Sequence, residues 1–229
     1  MTAEKDTTTR RNRILDAAAE LFERFGYDKT TVSDIADGAG VSKGAIYLHF
    51  ESKEELFEAL LVQEIKSYVD RLVELVEADP EGGTLATIYR HLLEAQRESP
   101  LLEAIYRRDP KVMGSYLYTE GNIVEQTRGS LGFFELMYEA GLIRQELDPK
   151  VVTHFMELLR YGILMIGTLQ DPETFPPLEE VLGLVQEVVD KSFAPEGGGD
   201  GARGVAVLKN FQTVLHEHFE QWERGDEES

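Results

Sequence analysis

The sequence predicts an all-α protein. Apolar residues recur at steps of three and four through most of its 229 residues, which is the spacing of one helix face. Turn-forming clusters with glycine or proline separate these stretches, and Ser, Thr or Asp stands where several of them begin. Alternating Val/Ile/Thr runs and Asn-Gly pairs, which mark strands and hairpins, are nearly absent.

The first fifty residues predict three helices. The first helix ends before Gly26 and is amphipathic, with an apolar face of Ile14, Leu15, Ala18, Leu21, Phe22 and Phe25. A short helix over 32–38 follows, and Ser42 caps a third over 43–50. Ile46 and Phe50 are four residues apart and face the core. Two short helices around a glycine-containing turn are the pattern of a helix-turn-helix, whose second helix enters the major groove of DNA.

Longer helices are expected in the rest of the chain. A capping box at Ser52 and Glu55 opens a helix to about residue 78, and the breaker cluster 79–83 follows it. Further helices are predicted at 84–98, 100–108, 110–140, 149–169 and 177–193. Five glycines make 195–204 a flexible linker by composition, and 205–224 is again helical. This last helix is too apolar to stand alone, so we expect it to dock on its own body or on a partner chain.

Charge divides the chain into two parts. The whole sequence has 23 basic and 43 acidic residues, a net charge of −20, which argues against a protein that coats nucleic acid or an anionic membrane. Residues 1–50 have a net charge of only −1, and residues 51–229 have −19. The acidity therefore does not exclude DNA binding, but it restricts DNA to the first segment.

Several classes of site are not expected. The absence of cysteine excludes disulfides, thiolate zinc sites and iron–sulfur ligation. The sequence has no glycine-rich phosphate loop, Gly-x-Ser-x-Gly or His-Glu-x-x-His, and His216 and His218 are two apart, the wrong spacing for a metal pair. We expect no catalytic residues, metal ligands or cofactor. With no apolar leader and no apolar stretch near the ~20 residues of a membrane helix, a cytoplasmic protein without a membrane partner is expected.

The order of residues over about 10–60 resembles the tetracycline-repressor (TetR) family. The resemblance rests on RILDAAAELF at 13–22, TTVSDIA at 30–36, GVSKGAIYLHF at 40–50 and SKEEL at 52–56. It implies a dimeric, ligand-responsive transcriptional regulator with a helix-turn-helix DNA-binding domain at 1–51. An effector-binding and dimerisation domain is then expected at 52–194, within which 52–78 is the connecting helix. The linker 195–204 and the helix 205–224 lie outside the usual family body.

The same resemblance implies roles for individual residues at the DNA. Phosphate contacts are expected from Thr31, Ser42, Tyr47, His49 and Lys53. Base-edge contacts are expected from Lys43, Gly44 and Ala45. Leu48 is either a base contact or half-buried filler. Arg10 and Arg11 either begin a solvated helix or reach the DNA.

The second domain is predicted to bind an effector and a second copy of the chain. Its aromatic and methionine residues are either ordinary core or the lining of an apolar pocket, and the candidates are Tyr89, His91, Tyr106, Met113, Tyr116, Phe133, Phe134, Met137, Tyr138, Phe155, Tyr161 and Met165. Further polar anchors are Arg90, His154 and Arg160. The dimer candidates, on the last two helices of the body, are Val151, Val152, Phe155, Leu159, Gly162, Ile163, Ile166, Leu182, Val185 and Val189.

The expected function is therefore regulation of transcription. A repressor would leave a palindromic operator when a small, apolar or aromatic effector binds. Two alternatives stay open: a small-molecule carrier or interaction protein without specific DNA binding, and a transcriptional activator.

Overall fold

The protein is described here by a computed structural model that covers the backbone of residues 2–119, 132–169 and 176–224. Within these ranges it contains α-helices, one 3₁₀-helix and no strand, so the all-α class is confirmed. No helix in these ranges combines the length and the apolar character needed to span a bilayer.

Eleven α-helices are seen in the described ranges. The first four are α1 (Thr2–Phe25), α2 (Val32–Ala39), α3 (Lys43–Ile46) and α4 (Lys53–Ala78). The next three are α5 (Leu85–Arg97), α6 (Pro100–Tyr106) and α7 (Pro110–Met113), which the 3₁₀-helix Gly114–Tyr118 follows. The last four are α8 (Phe133–Glu139), α9 (Pro149–Leu169), α10 (Leu178–Phe193) and α11 (Gly201–Arg224).

The helix predicted over 110–140 is interrupted in the described part of that stretch. Gly114 ends α7 at φ +50°, a conformation that favours glycine. A Cβ atom at this position would lie 2.5 Å from a carboxylate oxygen of Asp28, which also accepts a hydrogen bond from the Ser115 N–H at 3.1 Å. The close approach to Asp28 therefore requires this glycine. Residues 120–131 of the predicted helix lie outside the described residues.

The chain packs as two compact units that divide within α4, after Ile65. The N-terminal unit contains residues 2–65 and 100–119 of the described chain, and the C-terminal unit contains 66–99, 132–169 and 176–224. The functional boundary predicted after residue 51 stays a prediction.

An aromatic cluster forms the centre of the N-terminal unit. The rings of Phe22 and Phe57 lie 4.8 Å apart, and Phe57 lies 4.8 Å from Tyr116. Gly26, at φ +81°, ends α1, and a Cβ atom there would lie 2.0 Å from the carbonyl oxygen of Lys111. Burial of the aromatic rings and this close backbone contact join α7 to the end of α1.

The C-terminal unit is built around α5. Tyr89 on α5 is buried, and its hydroxyl donates to the carbonyl oxygen of Met156 on α9 at 2.7 Å. Leu182 and Val189 of α10 are buried in the same core as Leu92 of α5. Three helices thus share one apolar core.

Helix α11 begins at Gly201, four residues earlier than predicted, so the linker predicted at 195–204 is corrected over 201–204. Asp200 caps the helix by accepting from the N–H groups of Ala202 and Arg203 at 3.0 and 3.1 Å. The N–H of Gly83 donates to the carbonyl oxygen of Gly201 at 3.0 Å. The glycines here permit close packing of backbone on backbone rather than flexibility.

The rest of α11 docks on its own chain. Leu208, Leu215 and Phe219 are buried. The Lys209 ammonium lies 2.6 Å from a carboxylate oxygen of Glu77 on α4. Of the two docking partners expected from the sequence, the structure shows the chain's own body.

Replacing Gly204 with alanine is expected to lower the free energy of unfolding by about 2–3 kcal/mol, the range of an overpacked core. The reason is that its Cβ would lie 1.6 Å from the carbonyl oxygen of Gly83. Gly183→Ala on α10 is the matched control, because its Cβ would meet nothing within 4 Å and alanine favours a helix interior by about 1 kcal/mol. Urea unfolding followed by circular dichroism measures both, and equal stabilities would contradict the packing role of Gly204.

Candidate functional sites

The helix-turn-helix is fixed by a cap at the start of each helix. Thr31 and Asp34 form a capping box at α2, in which the Thr31 oxygen accepts from the Asp34 N–H and the Asp34 carboxylate accepts from the Thr31 N–H at 2.9 Å. The Ser42 oxygen accepts from the Ala45 N–H at 3.2 Å at the start of α3. Both helix starts are therefore capped by side chains within the motif, which stabilises α2 and α3 at their first turns.

The two capping hydroxyl groups differ in what they offer to a phosphate. Ser42 uses its oxygen as an acceptor, so its O–H can still donate. The Thr31 O–H donates to the Asp34 carboxylate at 2.6 Å, and hydrogen bonds from the Thr31 hydroxyl and N–H lower the pKa of Asp34. A negative charge therefore stands beside Thr31, and Ser42 is the better placed of the two for a phosphate contact.

The turn between α2 and α3 depends on Gly40. This residue lies at φ +64°, and its N–H donates to the Asp37 carbonyl oxygen at 3.2 Å. The next N–H, of Val41, donates to the carbonyl oxygen of Ala36 at 3.0 Å. A left-handed glycine at this point ends α2 and starts the turn into α3.

Helix α3 ends at Ile46, earlier than predicted. The chain continues as a tight turn in which the N–H groups of His49 and Phe50 both donate to the Ile46 carbonyl oxygen, at 2.8 and 3.0 Å. Ile46 and Phe50 are buried, as their spacing predicts. The side chains of Tyr47 and Leu48 lie on this turn.

The opposite face of α3 and its turn is exposed. Lys43 and Gly44 are exposed, Tyr47 is 49% exposed and Leu48 is 82% exposed. A Cβ atom on Gly44 would have only the Ser42 hydroxyl oxygen within 4 Å, at 3.9 Å. Leu48 is therefore not a half-buried packing residue. Of the residues predicted to contact base edges, Ala45 alone is half-buried.

Positive charge from α1 lies beside this face. The Arg11 guanidinium carbon is 5.6 Å from the centre of the Phe50 ring, directly after the exposed turn. Burial, and then the charges of Arg10 and Arg11, lower the pKa of His49. The middle of α1 therefore places two arginines next to the predicted phosphate contact His49.

Lys53 has a role that the sequence did not reveal. Its ammonium group donates to the carbonyl oxygens of Tyr27 and Thr30 at 2.7 and 3.2 Å and lies 4.0 Å from the centre of the Tyr27 ring. Burial lowers its pKa. Lys53 thus fastens the segment before α2 to the start of α4, and its phosphate contact stays a prediction.

Operator binding is expected to strengthen as the pH falls from about 8 to 6 at constant ionic strength. Because the pKa of His49 is lowered in the free protein, its imidazole is neutral near pH 7. A DNA phosphate beside the ring would favour the charged form and raise that pKa, so binding takes up a proton. Fluorescence anisotropy across this pH range measures the trend, and His49→Gln should remove it. If His49→Gln shows the same pH dependence as the wild type, a group other than His49 takes up the proton.

The effector candidates are divided between the two units. Tyr106, Met113 and Tyr116 belong to the N-terminal unit, where Tyr116 is buried and its hydroxyl donates to the Glu58 carboxylate at 3.0 Å. The other nine lie in the C-terminal unit, with Tyr89, His91, Phe134 and Met137 buried, Phe133, Tyr138 and Met165 half-buried, and Phe155 and Tyr161 exposed. Their role as effector ligands stays a prediction.

The predicted polar anchors are also differently placed. Both ring nitrogens of His91 lie 2.8 Å from carboxylate oxygens, of Asp79 and Glu94, which ties α5 to the preceding turn. Arg90 pairs with Glu94, and His154 is exposed. Arg160 is buried, at 5% exposure. Among the described residues, no group of three or more His, Asp or Glu side chains is arranged to hold a metal ion.

The dimer candidates need correction on two helices. Val152 of α9 and Leu182, Val185 and Val189 of α10 are buried in the core of their own chain, so they do not face a partner in this structure. The apolar residues that α9 exposes are Val151, Phe155, Leu158, Tyr161 and Ile166, with Gly162 also exposed and Leu159 and Ile163 half-buried. Those that α10 exposes are Leu184 and Val188. The sequence analysis did not select Leu184 and Val188, because α10 is apolar on two faces and the pattern does not show which face is exposed.

Comparison with known proteins gives the same assignment for the N-terminal unit. The family of bacterial regulatory proteins named for TetR matches residues 14–60. The transcriptional repressor KstR2 of Mycobacterium tuberculosis is 30% identical over 152 residues, which cover 65% of this chain and 76% of KstR2. The transcriptional regulator TtgR of Pseudomonas putida is 37% identical over 103 residues, covering 45% of this chain and 48% of TtgR.

A solved structure extends the similarity in fold beyond the N-terminal unit. A TetR family transcription regulator from Marinobacter aquaeolei superposes with a TM-score of 0.55 at 19% identity, covering 86% of this chain and 100% of that protein. The capped helix-turn-helix, the exposed face of α3 and its turn, and the match to KstR2 agree with one another, and this chain belongs to the TetR family of DNA-binding transcriptional regulators, which are not enzymes.

Proposed function

We propose that the protein is a homodimeric repressor that binds a palindromic operator and leaves it when a small apolar or aromatic molecule binds. The observation that carries this proposal is the exposed face of α3 and its turn, which we call the recognition face, with α3 as the recognition helix. Lys43, Gly44, Tyr47 and Leu48 are exposed there, while Ile46 and Phe50 anchor the same short segment in the core. The Lys43, Tyr47 and Leu48 side chains can reach base edges and phosphates in the major groove, and Gly44 lets the backbone approach the DNA closely. A protein with this function would work in the cytoplasm.

The uneven distribution of net charge along the chain favours binding to a specific DNA sequence over non-specific coating of DNA. Residues 1–50 have a net charge of −1 and the remaining residues −19, so a dimer repels phosphates over most of its surface. Contacts by Lys43, Arg10, Arg11 and backbone donors must then supply the affinity. Binding to random DNA, which depends on summed charge, should be weak.

The exposed apolar face of α9 and α10 supports a second copy of this chain as partner. Val151, Phe155, Leu158 and Ile166 follow one another at helical spacing, and Leu184 and Val188 are exposed on α10. An apolar stripe of this length is unusual on the surface of a monomer. A symmetric dimer covers it and presents two recognition helices to two half-sites.

The relative KstR2 supports repression as the direction of regulation. KstR2 is a transcriptional repressor, and its match to this chain covers 76% of the length of KstR2. An effector releases the operator only if it binds one conformation of the dimer more tightly than the other. The apolar and aromatic core of the C-terminal unit favours an effector of the same character.

Selection from a random DNA library with the purified full chain tests the proposal. An enriched palindrome with half-sites one or more helical turns apart is the expected result. If no sequence is enriched at low salt, the protein is not an operator-binding regulator and the carrier function takes its place. A reporter downstream of the selected palindrome then distinguishes repression from activation.

A further inference from the structure

A buried polar cluster in the core of the C-terminal unit has an unused hydrogen-bond donor. Gln96 on α5 is fully buried, and its side-chain oxygen accepts from the Arg160 Nε at 2.6 Å. No described residue accepts a hydrogen bond from its side-chain nitrogen, Nε2. A buried donor without a partner typically costs about 1–3 kcal/mol, so a site that keeps one calls for an explanation.

This donor lies near the positive charge of Arg160 and at the end of an apolar face of α5. Arg160 is 5% exposed, and its Nη2 donates to the Tyr68 hydroxyl at 3.2 Å. Gln96 continues the apolar face of α5 that contains Tyr89 and Leu92, both buried. Tyr68 is half-buried, whereas Gln96 and Arg160 are buried. A molecule would therefore reach Gln96 from the side of the cluster on which Tyr68 lies.

We propose that Gln96, Arg160 and Tyr68 form the polar end of the effector site, and that the effector is an apolar molecule carrying a carboxylate. The carboxylate accepts from Gln96 Nε2 and lies beside the Arg160 cation, while the apolar part packs along the α5 face. This pairing gives the unused donor its acceptor in a low-dielectric interior, where such a bond is strong. The inference rests on the proposed function, since it names the chemical class of its effector.

Gln96→Glu separates binding from folding. The substitution keeps an oxygen for the Arg160 Nε and replaces the unused donor with a second acceptor, so the fold should remain while a ligand carboxylate is repelled. Gln221→Glu adds the same charge at an exposed position of α11 and is the matched control. Melting temperature and sedimentation confirm that both variants are folded.

Calorimetric titration with straight-chain carboxylates from hexanoate to dodecanoate, and with the alcohols of the same lengths, measures the effect. A carboxylate in this series should bind the wild type and Gln221→Glu alike, and should bind Gln96→Glu about tenfold more weakly or worse, the value of one charge-assisted hydrogen bond. The matched alcohol should bind more weakly than the carboxylate and respond little to Gln96→Glu. If no carboxylate of the series binds, or if one binds Gln96→Glu as well as the wild type, the assignment is overturned.

Release of the selected palindrome distinguishes this inference from the proposed function. If the carboxylate releases operator DNA from the wild type and fails to do so from Gln96→Glu, both stand. If the palindrome is released only by molecules that lack a carboxylate, the repressor function stands and the assignment of Gln96 falls. If no palindrome exists, the proposed function falls, and the titration alone decides on the carboxylate site.

Discussion

Replacing Tyr47 with phenylalanine or alanine is expected to weaken operator binding about 100-fold or more, with little change in stability. The hydroxyl stands on the exposed turn after α3, where it can donate to a phosphate oxygen. A hydrogen bond to a charged group is worth about 1.5–3 kcal/mol, and a palindrome bound by a dimer loses it twice. Anisotropy with the selected palindrome measures the loss.

The control for this prediction is Phe25→Ala. Phe25 is an exposed aromatic residue of the same unit, 45% exposed, and it is the last residue of α1, whereas Arg11 lies near the middle of that helix. At 1.5 Å per residue, the two positions on α1 are about 21 Å apart, so Phe25 lies far from the recognition face. Phe25→Ala should bind the operator as the wild type does. If Tyr47→Phe also binds normally, the hydroxyl does not contact phosphate and the ring alone supports the turn.

The N-terminal fold could be predicted because its signals are local. Ser42 caps α3 within three residues, Gly40 ends α2 in its own turn, and the four-residue spacing of Ile46 and Phe50 fixes the buried face. Each signal acts within one or two helical turns of chain. The sequence therefore shows the interactions that start and end these helices, although it does not show the distant contacts of Lys53 or Gly26.

The C-terminal unit was less predictable because its signals depend on distant residues. The glycines of 201–204 have the composition of a linker, and only their contact with Gly83 shows that they pack tightly. Helix α10 has one apolar face with Leu182 and another with Leu184, and the sequence alone does not say which one meets α5. Tertiary contacts decide both cases.

A sequence signal did exist for the polar cluster. Gln96 interrupts an apolar helix face that includes Tyr89 and Leu92, and an uncharged polar residue in such a position needs a partner. The sequence could not identify Arg160 as that partner, since it lies on α9. The sequence also could not show that the Gln96 side-chain nitrogen has no hydrogen-bond acceptor among the described residues.

Replacing Leu158 with arginine is expected to raise the dissociation constant of the dimer about a thousandfold or more. Leu158 is 58% exposed in the middle of the apolar stripe of α9, so a symmetric dimer would bury it in both copies. Burial of a leucine side chain contributes about 1.5–3 kcal/mol, and the variant loses this twice while placing two guanidinium groups in the interface. Sedimentation velocity should show monomers, and operator affinity should fall because one recognition helix is left per molecule.

Val214→Arg on α11 tests the same change on a different apolar surface. Val214 is 48% exposed, so the substitution removes a comparable side chain and adds the same charge, but it leaves the stripe of α9 and α10 intact. This variant should remain a dimer and bind the operator normally. If Val214→Arg gives monomers and Leu158→Arg does not, α11 supplies the dimer interface instead of α9 and α10. If both variants remain dimers, neither surface is the contact between the two copies, because two buried guanidinium groups would not be tolerated there.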